Sequence, residues 1–111
     1  MRLYIVRHGI AVSHGTPGVS DEGRALTEEG IEKMRQAAKG LRSLDFIPEV
    51  ILSSPLLRAR QTAEILLDVL DKKIEFEISP ALAPSGTRQE LYREMGLHER
   101  KLLMLNVTHA I

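Results

Sequence analysis

Four short apolar runs, separated by stretches of helical periodicity and turn residues, constrain the fold of this chain most. Leu3 to Val6 reads as a buried strand, closed by Arg7-His8-Gly9. Val50-Ile51-Leu52 is a second, and Ile74 to Ile78, alternating with Glu75 and Glu77, is a third with one polar face. Leu102 to Val107 is the fourth, its apolar run interrupted by Asn106. Between the first two, Ile31, Met34, Ala38, Leu41 and Leu44 recur at helical spacing. Thr27 precedes them as a good N-cap, with Glu28 and Glu29 at the positive helix end. Ser54-Pro55 reads as the N-cap and first residue of a second helix reaching to Leu70. Thr87-Arg88-Gln89-Glu90 is a capping box opening a third, short helix that Gly96 ends. Strands alternating with helices in this way specify an α/β domain, with a mostly parallel central sheet flanked by helices in three layers.

The 111 residues are enough for one domain spanning 1–111 and one core. Fifteen basic and fifteen acidic residues cancel, which excludes the electrostatic footprint of a general nucleic-acid binder. No apolar run approaches the roughly 18 residues of a membrane span, and the start lacks the pattern of a signal peptide. The absence of cysteine removes disulfides, thiol nucleophiles and Cys-based metal sites. A cytoplasmic location is the expectation.

Ligands of parallel α/β sheets bind beyond the carboxyl ends of the strands. Arg7-His8-Gly9, Ser53-Ser54-Pro55 and Thr108-His109 all fall there. A neutral histidine is a nucleophile able to carry a phosphoryl group. A neighbouring guanidinium fits phosphate oxygens, and Gly9 lets a phosphate approach the backbone. Arg58 lies in the first turn of the second helix, where the helix dipole disfavours a cation, so a bound dianion gives it a reason to be there. Arg60 reads as a solvated surface arginine. His14 in the irregular Gly9–Arg24 segment is expected to be an exposed loop residue, and His98, beside Glu99 and Arg100, a solvated turn residue.

Arg7-His8-Gly9 after a strand, with Ser54-Pro55-Leu56-Leu57-Arg58-Ala59-Arg60-Gln61-Thr62-Ala63 some distance on, resembles the histidine phosphatase (phosphoglycerate mutase-like) superfamily. Arg7-His8-Gly9-Ile10-Ala11, the helix entry Arg24-Ala25-Leu26-Thr27-Glu28-Glu29-Gly30 and Leu82-Ala83-Pro84-Ser85-Gly86 look like its small, SixA-type phosphohistidine phosphatases. The resemblance implies a phosphatase that removes phosphate from phosphohistidine in proteins. His8 would be the nucleophile, Arg7 and Arg58 the phosphate clamp, Gly9 part of the binding loop and His109 the second pocket histidine. It implies no cofactor and no metal, and as partner a phosphorelay or phosphotransfer domain.

The family's core continues past the second histidine with a further helix and strand structure, so the C-terminal part of the usual domain is expected to be missing. Leu102-Leu103-Met104-Leu105 would then form an uncovered apolar edge, through which the chain could self-associate. Larger relatives carry a glutamate general acid after the third strand, where this chain has Leu82-Ala83-Pro84-Ser85-Gly86. Two other readings stay open: a small-molecule phosphomonoesterase or mutase, and a non-catalytic phosphate-binding domain.

Overall fold

The computed structural model describes residues 2–71, 73–98 and 101–107. Strand β1 (Arg2–Arg7) leads through a long loop to α1 (Glu28–Ser43), then β2 (Val50–Ser53) and α2 (Leu57–Val69). Strand β3 (Glu75–Ile78), a 3-10 turn (Pro80–Leu82), α3 (Arg88–Gly96) and β4 (Leu102–Val107) complete it. The four strands form one sheet in the order β1-β4-β2-β3, and every pairing is parallel. The expected three-layer α/β architecture is therefore present.

Alternate residues of each strand face opposite layers, and the two cores follow that alternation. On one face Ile51 and Met104 pack with Ala38 of α1 and Ala63, Ile65 and Leu66 of α2. On the other, Val50, Leu52, Leu103 and Leu105 pack against Ala81, Leu82 and Leu91 of the 3-10 turn and α3. The apolar run of β4 is thus covered on both sides, as buried parallel strands require. This corrects the expectation of an exposed Leu102–Leu105 edge. Spatial strand order in a parallel sheet follows the crossovers and not the sequence, and here the last strand lies between the first two. Within the sheet the exposed apolar side chains are instead on the two outer strands, Leu3 and Ile5 of β1 at 39% and 60% and Ile78 of β3 at 41%.

Local capping explains two helix starts. Thr27 accepts a hydrogen bond from the Gly30 amide at 3.0 Å, and Thr87 one from the Glu90 amide at 3.2 Å. The start of α2 differs from expectation. The Ser54 amide still donates to the Asn106 carbonyl at 3.0 Å, so Ser54 belongs to the extended strand end. Its hydroxyl accepts from the Leu56 amide at 3.3 Å, closing a turn, and the helix begins at Leu57.

Gly30 fixes the loop after β1 against α1. A Cβ there would lie 2.2 Å from the Ile10 carbonyl oxygen, so the helix backbone can approach this close only without a side chain. The Thr27 amide donates to the same carbonyl at 2.9 Å. The segment following His8 is held from both sides.

Candidate active site

His8 stands directly past the carboxyl end of β1, and its amide extends the ladder by donating to the Val107 carbonyl at 3.2 Å. Its side-chain Nδ1 lies 2.7 Å from the Gly9 carbonyl oxygen. A carbonyl can only accept, so Nδ1 carries the proton and the neutral ring presents its Nε2 lone pair. The Gly9 amide donates to Thr62 Oγ1 at 3.1 Å, and the Thr62 hydroxyl donates to the Arg58 carbonyl at 2.8 Å. The His8 loop and the first turns of α2 are therefore one hydrogen-bonded unit.

Asn106, which breaks the apolar run of β4, ties the same unit from below. Its buried amide nitrogen donates to the Ala59 carbonyl at 2.6 Å and to Ser53 Oγ at 3.3 Å. One polar residue in a central strand thereby anchors both the end of β2 and the start of α2.

Arg58 is 5% exposed, an unusual environment for a guanidinium. Its Nη1 donates to the Asp21 carbonyl at 2.8 Å, its Nη2 faces Asp21 Oδ2 at 3.7 Å, and its buried Nε has no hydrogen-bond partner. Asp21 also receives Arg24 Nε at 3.0 Å, and Arg24 Nη1 donates to the Val12 carbonyl at 3.1 Å. Desolvation alone would raise the Asp21 carboxyl, but Arg58 and Arg24 outweigh it and hold the group below its ordinary value. Asp21 is a fixed anion that orients two arginines, and not a resting proton donor.

The His8 imidazole is lowered below 6.5. Burial is the largest cause, the Gly9 hydrogen bond opposes it, and the cations of Arg58, Arg7 and Arg24 lower it further. Burial and positive neighbours both disfavour imidazolium, so the neutral, nucleophilic form persists at and below neutral pH. The sign is testable. NMR titration should place His8 below 6.5, and Arg24→Gln should move its midpoint upward, because one of the cations opposing protonation is gone. A midpoint unmoved or lowered would contradict this arrangement.

The structure thus brings His8, Gly9, Arg7 and Arg58 to one end of the sheet, with Arg7 exposed at the close of β1. Arg60 is exposed, as is His14, which acts on Asp21 only through its field. Thr108 and His109 lie outside the described residues. His98 corrects its expectation: it is 7% exposed and bonded to Glu77, because β3 folds back beside the end of α3. Asp21 and Arg24 are the site residues that sequence reasoning passed over. Their one signal is an acid and a base three residues apart inside an aperiodic loop.

With this geometry in place, the family model of the histidine phosphatase superfamily (branch 1) matches residues 3–85. The chain belongs to that superfamily. The phosphohistidine phosphatase SixA of Escherichia coli is 37% identical over 86 residues, covering 78% of this chain and 52% of SixA. An uncharacterized protein of Picosynechococcus sp. is 48% identical over 87 residues, covering 78% of this chain and 52% of that protein. The chain spans about half the length of these curated relatives. Among solved structures, the protein histidine phosphatase SixA complexed with tungstate superposes with a TM-score of 0.82 at 32% identity. That match covers 98% of this chain and 69% of the other. Among the described residues no helix is long and apolar enough to cross a membrane.

Proposed function

We propose that this chain carries the catalytic histidine and arginines of a phosphatase acting on phosphohistidine in proteins. The observation that carries the reading is a neutral His8 whose Nε2 makes no hydrogen bond among the described residues, set among the guanidiniums of Arg58, Arg7 and Arg24. The related SixA structure is complexed with tungstate, a tetrahedral oxyanion of phosphate-like shape, which supports phosphoryl binding by this fold. In the first step His8 Nε2 attacks phosphorus as the P–N bond to the substrate imidazole breaks, and the departing ring nitrogen takes a proton from water or a neighbouring group. In the second, water attacks the phosphorus on His8, and the P–Nε2 bond breaks to release inorganic phosphate. The arginines stabilise the spread charge on the phosphoryl oxygens in both steps, the larger part of catalysis in this chemistry. His109 is the proposed second histidine of the clamp, two residues beyond the Val107 carbonyl that anchors His8.

The phosphohistidine preference rests on openness. Between Ile78 and Lys101 the described chain forms the 3-10 turn and α3, and both are packed into the second core. At three and nine residues, neither is long enough to form a lid over the His8 end. A pocket with no lid from this segment offers less enclosure to a small metabolite but admits a phosphorylated side chain on a partner's surface, such as a phosphorelay or phosphotransfer domain. The labile P–N bond also asks less of a dedicated acid than an alkyl phosphate does, in keeping with Leu82-Ala83-Pro84-Ser85-Gly86 carrying no carboxylate. The test compares kcat/KM of the full-length protein for a phosphohistidine protein, several sugar phosphates and an aryl phosphate. The phosphohistidine protein is expected to lead; a sugar phosphate ahead by about tenfold, roughly 1.4 kcal/mol, would favour a small-molecule phosphatase.

A further inference from the structure

At the edge of the sheet opposite β1, strand β3 presents Glu75 and Glu77 two residues apart, hence on one face. Phe76 between them turns to the opposite side, against the α1–α2 core. His98, just past the end of α3, is buried beside this pair. Its Nε2 lies 3.2 Å from Glu77 Oε2 and its Nδ1 3.8 Å from Glu75 Oε2. That Nδ1 is buried and makes no hydrogen bond. Lys101 Nζ approaches Glu75 Oε2 at 3.3 Å. One donor atom from each of Glu75, Glu77 and His98 lies within 4.8 Å of the others.

A buried imidazole set between Glu75 on its unpartnered Nδ1 side and Glu77 on its Nε2 side, offering one ring nitrogen per ion, makes with them a donor set for a divalent ion that accepts both nitrogen and oxygen. Zinc binds such ligands at ~2.0–2.2 Å, so two donors on one ion can stand at most ~4.4 Å apart. A contraction of a few tenths of an ångström closes the set. Both glutamate side chains are 47% exposed, which leaves the remaining coordination positions to water. Lys101 is 45% exposed, and its pair with Glu75 is of the weak surface kind that a divalent ion displaces. The site is remote from His8. Glu75 pairs with Val50 and Val50 with Leu103, at the amino ends of the strands, whereas His8 follows a carboxyl end.

We propose that Glu75, Glu77 and His98 form a binding site for a zinc-class divalent cation, which staples the edge strand β3 to the end of α3. The test is calorimetric titration of chelator-treated protein with zinc chloride alone, together with thermal unfolding with and without the ion. One ion per chain and a raised Tm are expected. Glu77→Gln, a change at an exposed side chain that leaves the fold intact, should weaken binding by about tenfold or more, and His98→Gln should do likewise. If His98→Gln does not fold, Glu75→Gln is the second variant. His8→Ala should bind zinc as the parent does. No saturable binding, or binding undiminished in Glu77→Gln, or binding lost in His8→Ala, would each overturn the proposal.

Discussion

Replacing His8 with alanine is expected to lower turnover by roughly 10⁴-fold or more, the scale seen when a covalent nucleophile is removed. The loss follows from what Nε2 does in the proposed reaction: without it there is no phosphoryl-enzyme, and water must attack the substrate unassisted. The side chain bonds the neighbouring Gly9 carbonyl and is part-buried, so its removal opens no core cavity and the Tm should stay close to the parent's. A chase with labelled phosphate gives an independent readout. The parent should pass through an acid-labile label on His8, and the alanine variant should show none. Appreciable residual turnover in a clean preparation of the variant would remove His8 from the nucleophile's role.

Arg58→Met separates catalysis from stability. Losing one guanidinium contact to the transferring group should cost ~10²–10³ in kcat/KM. The same change removes a buried charge with an unpartnered Nε and replaces it with an apolar chain of similar length. Such exchanges are often neutral or stabilising, so Tm should hold or rise. Asp21, with a side chain 38% exposed, remains solvated and paired with Arg24. Arg58→Lys should be nearly as damaging, because a point charge cannot reproduce the planar fork. Arg60→Ala, at an exposed position on the same helix, is the control and should leave kcat/KM within about twofold, as surface changes generally do.

What could be read from the sequence was what local chemistry decides. Thr27 and Thr87 announce their helices because a cap acts within three residues, and both cap as expected. His8 and Arg58 are legible for a related reason: each sits where a strand end or helix start already favours an anion. The misreadings come from contacts distant in sequence. Ser54 reads as a helix cap until its amide is found paired with Asn106 across the sheet. His98 reads as solvated because its partners Glu75 and Glu77 lie on a strand before α3. Asn106 reads as a flaw in an apolar run, although its amide holds the ends of β2 and α2 together. Asp21 has no periodicity to mark it, and its role appears only once Arg58 is brought to its carbonyl.

The strand order has a consequence for how such a chain assembles. Arg2 to Arg7 pair with Leu102 to Val107, so among the described strands β1 waits for β4 before it has a neighbour. Until then the His8 amide lacks its Val107 anchor, and the Ser54 amide lacks Asn106. Loop closure on this scale is slow, and a strand waiting with open edges is the state most exposed to wrong pairing. During synthesis α1, β2, α2 and β3 can dock among themselves, while the His8 loop stays unassembled. The His8 loop and the start of α2 are therefore brought together in one late event, when β4 inserts between β1 and β2.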